Sequence, residues 1–383
     1  MAFSRVLAVL AAVTALLVGC GHTSERPKSA PATSSARQIP PARPACGEPA
    51  AILAAMSTRD KLAQLLMVGV RNGDDAKAVV TDHHVGGIFV GSWTDLSMLT
   101  NGTVKNLSAS TALPVAISVD EEGGRVARLS SLIGPSPSPR VLAQTHTADE
   151  VYGIALDRGH QMRGLGITID FAPVVDVTDA PDGVIGDRSF GSDPAVVTAY
   201  AGAYARGLRD AGLLPVLKHF PGHGHGSGDS HTGGVTTPPL EALQNNDLVP
   251  YRTLVSAAPV GVMIGHLQVP GLTGDQPASL SKAAVELLRT GTGYKGPAFD
   301  GPVFSDDLSS MAAINQHYGV PEAVLRSLQA GTDIALWVTT DEVPAVLDRL
   351  EKALAAGELT MPAVDASVVR IAKMKGPKPD CGP

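Results

Sequence analysis

Short apolar runs alternate with segments of helical periodicity along most of this chain. Eight runs rich in Val, Ile, Leu or Phe predict buried strands, at Leu65–Val70, Gly87–Val90, Val115–Val119, Thr168–Phe171, Pro215–Leu217, Val262–Ile264, Pro302–Phe304 and Ile334–Val338. The helical segments include Asp149–Arg163, Pro194–Ala211, Pro239–Ser256, Lys282–Thr290, Pro321–Ala330, Asp341–Ala356 and Met361–Lys375. Alternating strands and helices favour a parallel sheet, and eight strands favour its closure into a single (β/α)8 barrel of the TIM type. An open, doubly wound sheet is the alternative.

Ionisable residues lie at or just after the carboxyl ends of five of these strands. The residues at or after the carboxyl end of a predicted strand are Asp120, Asp176, Lys218, His219, His266 and Asp306. In a barrel these strand ends converge on one face, and catalytic groups gather there. Scattered surface charges would not recur at the carboxyl ends of the strands. The pattern therefore predicts a polar active site at that face.

The densest of these clusters is rich in histidine and follows the fifth predicted strand. It reads KHFPGHG at residues 218–224 and continues through His225 to DSH at residues 229–231. Zinc is one ligand that suits such a cluster, with donors drawn from His219, His223, His225 and His231. The cluster has neither an HExxH motif nor a cysteine pair, so we expect no metal and no other cofactor.

The other interpretation of this cluster is a proton-transfer dyad. Asp229 and His231 lie two residues apart on a glycine-rich loop. A carboxylate beside an imidazole fixes its tautomer and raises its basicity, which suits a proton donor and acceptor near neutral pH. On this interpretation His223 and His225 have no chemical role and belong to the structure of the loop.

Three further segments carry candidate site residues. In DEEGGRVAR, residues 120–128, paired glycines permit a tight turn, Asp120 can accept hydrogen bonds from ligand hydroxyls and Arg128 can donate them. A solvated acidic turn is the alternative there. In IGDRSFG, residues 185–191, Arg188 lies between glycines.

The third segment, SDDL, follows the seventh predicted strand. An acid that ends a barrel strand points into the mouth, where it can act as a nucleophile or stabilise charge. Adjacent residues on a strand point to opposite faces, so only one of Asp306 and Asp307 can act in this way. Two carboxylates that cap a helix or a loop are the alternative.

The ends of the chain differ in composition from the rest. Residues 1–19 carry Arg5 and an apolar stretch, and they end in LVGC, which resembles the lipobox that precedes a lipid-modified cysteine, here Cys20. An ordinary secretory signal is the alternative. Residues 20–48 are rich in Ser, Pro and Ala and predict a disordered tether, so residues 49–383 form the barrel domain with its C-terminal tail.

These ends predict an exported protein that is lipid-anchored to the outer face of the cell membrane without spanning it. The two remaining cysteines, Cys46 and Cys381, then meet an oxidising compartment and can form a disulfide, with two free thiols as the alternative. The net charge of −7 is not clustered, so nothing indicates a nucleic-acid partner. We expect a monomer.

Five motifs together resemble one known family. KHFPGHG…DSH, DEEGGRVARL, IGDRSFG, DFAPVVDV and FSDDL occur in the order and at the spacing of the single-domain β-N-acetylglucosaminidases of glycoside hydrolase family 3. The resemblance covers about residues 62–375, and the signal and tether are similar to those of lipoprotein members from mycobacteria and related actinobacteria. Two departures are Glu121, where members commonly carry Gln, and the second serine of Ser309-Ser310.

The resemblance implies a role for each matching residue. It implies Asp306 as the nucleophile, His231 as general acid/base and Asp229 as its dyad partner. It implies that the sugar is held by Asp120, Arg128, Arg188, Lys218 and His219. The implied activity is exo-acting, retaining hydrolysis of terminal β-linked N-acetylglucosamine, and cell-wall fragments are the expected substrate. The alternatives are phosphorolysis by the same site, a β-glucosidase of the same family, and a non-catalytic lipoprotein that binds cell-wall sugars.

Overall fold

Eight parallel strands form a ring at the centre of the structure, a computed structural model that describes residues 47–107, 111–257 and 259–376. They are β1 (Leu66–Gly69), β2 (Gly87–Val90), β3 (Ala116–Val119), β4 (Ile169–Asp170), β5 (Leu214–Phe220), β6 (Gly261–Ile264), β7 (Val303–Ser305) and β8 (Ala335–Trp337). The hydrogen-bonding order is β7-β6-β5-β4-β3-β2-β1-β8. A parallel bridge from Phe304 to Ile334 joins the two ends of this order. The prediction of a (β/α)8 barrel is therefore confirmed, and the alternative of an open sheet is wrong.

Helices lie between the strands and surround the ring. They are Pro49–Ala54, Thr58–Gln64, Gly73–His83, Ser97–Thr100, Thr103–Asn106, Ser130–Ile133, Pro139–Thr145, Ala148–Gly164, Pro194–Asp210, Leu240–Asn245, Val249–Leu254, Lys282–Thr290, Ala312–Asn315, Val320–Ala330, Val343–Ala356 and Met361–Lys375. Short strands also pair outside the ring, Glu121–Gly123 with Val126–Ala127 and Val235–Thr236 with Leu267–Gln268. The antiparallel first pair lies directly after β3 and carries part of the site.

Local sequence signals begin the two longest helices. Thr147 and Glu150 form a reciprocal capping box at the start of Ala148–Gly164. Asp193 accepts a hydrogen bond from the Ala195 N–H at 2.8 Å at the start of the next helix. These helices pack against each other closely enough that a side chain at Gly207 would lie 2.5 Å from the Tyr152 carbonyl oxygen. Glycine at this position therefore permits the close helix contact.

Aromatic side chains fill the interior of the ring. The rings of Phe171 and Phe304 lie 5.5 Å apart, edge to face, and Phe89 lies 5.9 Å from Phe171. A Cβ at Gly261 would come within 2.8 Å of the Phe304 ring, so this glycine leaves the space that the ring occupies. The interior of the ring is therefore a packed core, and it forms the floor of the opening at the carboxyl ends of the strands.

Two of the predicted elements differ in extent. The segment predicted as one helix, Pro239–Ser256, is two helices, because Pro250 in the first turn of the second helix has no N–H to continue the first. The fifth strand runs to Phe220, three residues beyond its predicted end. Lys218 and His219 thus lie within the strand, and the glycine-rich loop begins after Phe220.

Several predictions concern parts of the chain outside the described residues. These include the signal segment at residues 1–19, the lipidation site Cys20, most of the tether, and both Cys46 and Cys381 of the predicted disulfide. Within the described ranges, no helix is both long and apolar enough to cross a membrane.

Candidate active site

A polar cavity of about 310 Å³ lies at the carboxyl ends of the barrel strands. Its lining contains every residue for which the family resemblance implies a catalytic or sugar-binding role, namely Asp120, Arg128, Arg188, Lys218, His219, Asp229, His231 and Asp306. These residues come from segments that are widely separated in the chain. The barrel therefore brings the whole predicted set to one place.

A network of two cations and two carboxylates forms one wall of this cavity. Lys218 Nζ lies 2.6 Å from Asp120 Oδ1 and 2.5 Å from Glu122 Oε1. Glu122 also accepts two parallel hydrogen bonds from Arg188, at 2.7 and 2.8 Å. Such a bidentate pair fixes the guanidinium plane, so Arg188 and Lys218 are held in place before any ligand binds.

The charges of this network stabilise one another. Burial alone would raise the pKa of Glu122, but the charges of Arg188 and Lys218 hold the pKa of that carboxyl well below its usual range. Burial alone would lower the pKa of Lys218, but the carboxylates of Asp120 and Glu122 raise it above the ordinary value. Glu122, Lys218 and Arg188 are therefore ionised at neutral pH and present fixed charges to hydroxyl groups.

Sequence reasoning missed Glu122. The signal available was the alternation of side chains in the short strand Glu121–Gly123, which sends the two glutamates in opposite directions. Glu121, the departure from the family pattern, turns to the interior and forms a buried ion pair with Arg158, while its Oε2 accepts from the Leu129 N–H at 2.7 Å. Glu121 therefore stabilises the turn between the two short strands from the interior side, and its side chain does not line the cavity.

Arg128 has spare hydrogen-bonding capacity at the cavity. In the described part of the chain its buried Nε has no hydrogen-bond partner. An unsatisfied buried donor is costly, and a ligand hydroxyl or carbonyl in the cavity would remove that cost. This geometry suits the predicted sugar-binding role.

His219 is oriented by a carboxylate behind it. Its Nδ1 lies 2.7 Å from Asp176 Oδ2, and Oδ1 of the same carboxylate accepts from the His223 N–H at 2.7 Å. Burial would raise the pKa of Asp176, but the imidazoles and these hydrogen bonds lower it. Asp176 therefore positions both histidines without lining the cavity itself.

The histidines that were assigned to loop structure lie in two different places. His223 lines the cavity, and burial together with His219 lowers the pKa of its imidazole, so it is neutral at neutral pH. His225 instead lies 3.1 Å from Asp247 at the base of the loop. No three His, Cys, Asp or Glu side chains within the described ranges are grouped so that they could hold a metal ion. The zinc interpretation therefore has no support from this geometry.

Asp306 and Asp307 have different surroundings: among the described residues, hydrogen bonds occupy both oxygens of Asp307 but only one oxygen of Asp306. Asp307 accepts hydrogen bonds from the backbone and side chains of Ser309 and Ser310, so it organises the turn that follows β7. Burial would raise the pKa of Asp306, but the nearby imidazoles of His266 and His219 and the Asp307 N–H lower it. Asp306 is thus an ionised carboxylate, as a nucleophile requires.

His266 supports this arrangement from behind β7. Its Nδ1 lies 2.6 Å from the Ser279 hydroxyl and its Nε2 lies 2.7 Å from the carbonyl oxygen of Asp307. Since both ring nitrogens have protein partners, His266 acts on the position of the turn after Asp306 and not on the ligand.

The predicted dyad has the hydrogen bond that the chemistry needs. His231 Nδ1 lies 2.8 Å from Asp229 Oδ1, and the His231 N–H donates to the same oxygen at 2.9 Å. Burial would raise the pKa of Asp229, but these hydrogen bonds lower it. Because an ionised carboxylate holds Nδ1–H, the Nε2 of His231 is the position that exchanges a proton. The imidazole is 63% exposed, so water and ligands can reach it.

The loop of the dyad rests on the segment that follows Asp306. The Ala313 N–H donates to the Ser230 carbonyl at 3.1 Å and the Ala312 N–H to the His231 carbonyl at 3.4 Å. On the other side, the Ser309 hydroxyl accepts from the Val338 N–H at 3.1 Å, which ties the same segment to the end of β8. The two chemical groups are thus positioned by one shared segment of backbone.

Glu122→Gln provides a test of the cation network. The amide cannot neutralise two buried cations, so we expect KM for a β-N-acetylglucosaminide to rise at least about tenfold and the free energy of unfolding to fall by about 3 kcal/mol. Steady-state kinetics and urea unfolding measure the two effects. Glu286→Gln, on the exposed pair with Lys282, is the matched control and should change neither. Unchanged KM and stability in Glu122→Gln would show that the network does not hold the site.

An ionised carboxylate and a carboxylate–imidazole dyad in one hydroxyl-binding cavity meet the needs of glycoside hydrolysis, in which one group attacks carbon and another transfers a proton. Residues 57–374 match the description "Glycosyl hydrolase family 3 N terminal domain". The chain is 69% identical over 390 residues to Beta-hexosaminidase LpqI of Mycobacterium tuberculosis (strain ATCC 25618 / H37Rv), with 100% of both chains covered. The chain therefore belongs to glycosyl hydrolase family 3.

Solved structures agree with this assignment. The structure of M. tuberculosis LpqI superposes with a TM-score of 0.88 at 73% identity, covering 89% of this chain and 100% of that chain. The glycoside hydrolase family 3 β-N-acetylglucosaminidase from Paenibacillus sp. str. FPU-7 superposes with a TM-score of 0.78 at 33% identity, covering 84% of this chain and 62% of that chain. The prediction of a family 3 enzyme of the β-hexosaminidase type is confirmed, and the alternative of a non-catalytic binder is wrong.

Proposed function

We propose that this enzyme is an exo-acting, retaining β-N-acetylglucosaminidase that removes terminal β-linked N-acetylglucosamine. The observation that carries the proposal is the single cavity of about 310 Å³ in which Asp306, the Asp229–His231 dyad and the sugar-binding set meet. The proposal is supported by a carboxylate with a lowered pKa and a carboxylate–imidazole dyad in the same cavity, because a double-displacement mechanism uses a nucleophile and a proton carrier.

The first step breaks the glycosidic bond. A carboxylate oxygen of Asp306 attacks the anomeric carbon as the bond to the leaving oxygen breaks, and His231 Nε2 gives its proton to that oxygen. The product is a glycosyl ester on Asp306 and the free alcohol. A neutral imidazole remains on His231, and Asp229 keeps its Nδ1–H in place.

The second step is hydrolysis of the ester. His231 Nε2 takes a proton from water, the hydroxide oxygen attacks the anomeric carbon, and the bond to Asp306 breaks to restore the carboxylate. Two inversions at the same carbon give a β product. An imidazole in this role places no second negative charge beside Asp306, so the charge of the nucleophile costs less.

The proposed natural substrate is a cell-wall fragment, such as a peptidoglycan-derived glycan that ends in β-linked N-acetylglucosamine. This part of the proposal is supported by the sequence, which has a lipobox-like motif and then a segment rich in Ser, Pro and Ala. A lipid on Cys20 would anchor the enzyme at the outer face of the membrane. We further propose that it acts there as a monomer.

One experiment separates the possible reactions of this site. An aryl β-N-acetylglucosaminide and the matching aryl β-glucoside are each incubated with and without phosphate and with and without EDTA, and the first products are identified by NMR. We expect turnover of the N-acetylated substrate, the β anomer of N-acetylglucosamine first, and no effect of phosphate or EDTA.

Each other result would contradict a particular part of the proposal. An α anomer would exclude the retaining mechanism, and a sugar 1-phosphate would identify a phosphorylase. Preference for the glucoside would identify a β-glucosidase. Loss of activity in EDTA with recovery on added zinc would identify a metal enzyme.

A further inference from the structure

A second cavity adjoins the active-site cavity. Its volume is about 260 Å³, and it is lined by Arg71, Trp93, Val338, Thr339, Thr340 and Asp341. Trp93 and Val338 also line the active-site cavity, so the two spaces share a wall and are similar in size. These residues follow β1, β2 and β8, which are neighbours in the ring. The second cavity therefore continues the barrel mouth on one side of the proposed sugar site.

The shared wall is an exposed aromatic ring. Trp93 is 46% exposed, and its ring lies 5.9 Å from that of Phe89. The turn that carries it is held by Thr94, whose hydroxyl accepts from the Gly91 N–H at 3.0 Å and donates to the Val70 carbonyl at 2.7 Å. An exposed indole on a fixed turn offers a preformed apolar face, and the C–H face of a pyranose ring is a suitable partner for it.

The residues after β1 and β8 add an ion-pair network to this mainly apolar cavity, and the charges of that network are balanced. The Arg71 guanidinium lies 3.2 Å from Asp75 Oδ1 and 3.5 Å from Asp341 Oδ1. Thr340 donates to Asp75 at 2.8 Å, so the same carboxylate orients both the guanidinium and this hydroxyl group. Since Arg71 lies between two carboxylates, the network has no excess positive charge to attract an anion. Hydrogen-bond donors and acceptors beside an apolar ring suit a neutral ligand that carries both hydroxyl groups and a C–H face.

We propose that this second cavity is the leaving-group subsite. It holds the pyranose ring on the far side of the scissile bond, stacked on Trp93, with its hydroxyl groups hydrogen-bonded to Arg71, Thr340 and Asp341. This proposal rests on the proposed function. It makes Trp93 and Arg71 determinants of specificity for a sugar leaving group over a small alkyl group, because an alkyl group does not extend to either residue.

The test compares two substrates that differ only in the leaving group. Values of kcat/KM are measured for N,N′-diacetylchitobiose and for methyl N-acetyl-β-glucosaminide, and their ratio is taken for each variant. We expect the ratio of disaccharide to methyl glycoside to fall about tenfold in Trp93→Ala and about threefold in Arg71→Gln. Trp93→Phe, which keeps an aromatic face, should recover most of the ratio. The matched control is Arg326→Gln, an exposed arginine paired with Glu322, which should keep the ratio of the natural enzyme.

The outcomes separate this proposal from the proposed function. If the natural enzyme cleaves neither substrate, the proposed function is wrong. If it cleaves both and the ratio in Trp93→Ala and Arg71→Gln equals that of the natural enzyme, the proposed function stands and the leaving-group subsite is wrong. Because Arg71 lies at the surface, Arg71→Gln decides the question even where Trp93→Ala fails to fold.

Discussion

Asp306→Asn lowers kcat for an activated aryl β-N-acetylglucosaminide by about 10⁴-fold or more, while the protein keeps its fold. The amide cannot form the glycosyl ester, and its neutral oxygen loses the attraction that the ionised carboxylate has for the oxocarbenium-like transition state. Stopped assays over hours, with circular dichroism and thermal unfolding in parallel, measure this loss. Asp157→Asn, an exposed aspartate on the helix Ala148–Gly164, is the matched control and should have full activity.

The nucleophile can also be identified directly. Acid-quenched samples of the natural enzyme during turnover should contain a protein species heavier by one N-acetylhexosaminyl group, and peptide mapping should place the group on Asp306. Modification of another residue, or wild-type kcat in Asp306→Asn, would show that a different group attacks the anomeric carbon. Asp307 is the obvious rival, but its oxygens are occupied by Ser309 and Ser310.

His231→Ala has a large effect only where the leaving group needs a proton. With a methyl or sugar leaving group, we expect kcat/KM to fall by about 10²–10⁴-fold, because departure of an unprotonated alkoxide is slow. A 2,4-dinitrophenyl group can leave without being protonated. With this leaving group, the fall in kcat/KM should therefore be several times smaller. Steady-state kinetics over a series of leaving groups gives the comparison as a slope against leaving-group pKa.

Two variants support the interpretation of this result. Asp229→Asn keeps the imidazole but removes the charge that orients Nδ1–H, so its loss should be smaller than that of His231→Ala and should follow the same dependence on the leaving group. His160→Ala, an exposed histidine on the helix Ala148–Gly164, is the control and should match the natural enzyme. An equal loss in His231→Ala for all leaving groups would exclude the role of acid.

Hydrogen bonds join the loop that carries the Asp229–His231 dyad to the segment that follows Asp306. Ser309 and Ser310, the second of which departs from the usual family pattern, both donate to Asp307. In the segment after them, the N–H groups of Ala312 and Ala313 donate to carbonyl oxygens of the dyad loop. The second serine is therefore one of the donors that hold Asp307 in the turn after β7.

Local pattern was enough to predict the architecture. Eight apolar runs and the helices between them follow from periodicity, since burial on both sides of a parallel strand requires continuous apolar residues. The ionisable residues at the strand ends, Lys218 and Asp306 among them, follow from the rule that these ends meet on one face. The helix prediction over Pro239–Ser256 was wrong because it overlooked a local signal, Pro250, which divides the segment into two helices.

Some groups of the site acquire their role only from the side chains that face them in the folded barrel. Sequence alone determined that an acid ends β7 and that a dyad lies on a glycine-rich loop. The alternation of side chains left the choice between Asp306 and Asp307 open, and only the family resemblance implied Asp306. The structure adds that the following serines occupy the carboxylate of Asp307. Sequence reasoning also missed Glu122 and Trp93. Glu122 pairs with Arg188, which follows a different strand. Trp93 lies between two cavities that residues from several strands line. Residue spacing along the chain predicts which side chains can interact within one loop. Which loops lie next to each other depends on how the barrel closes.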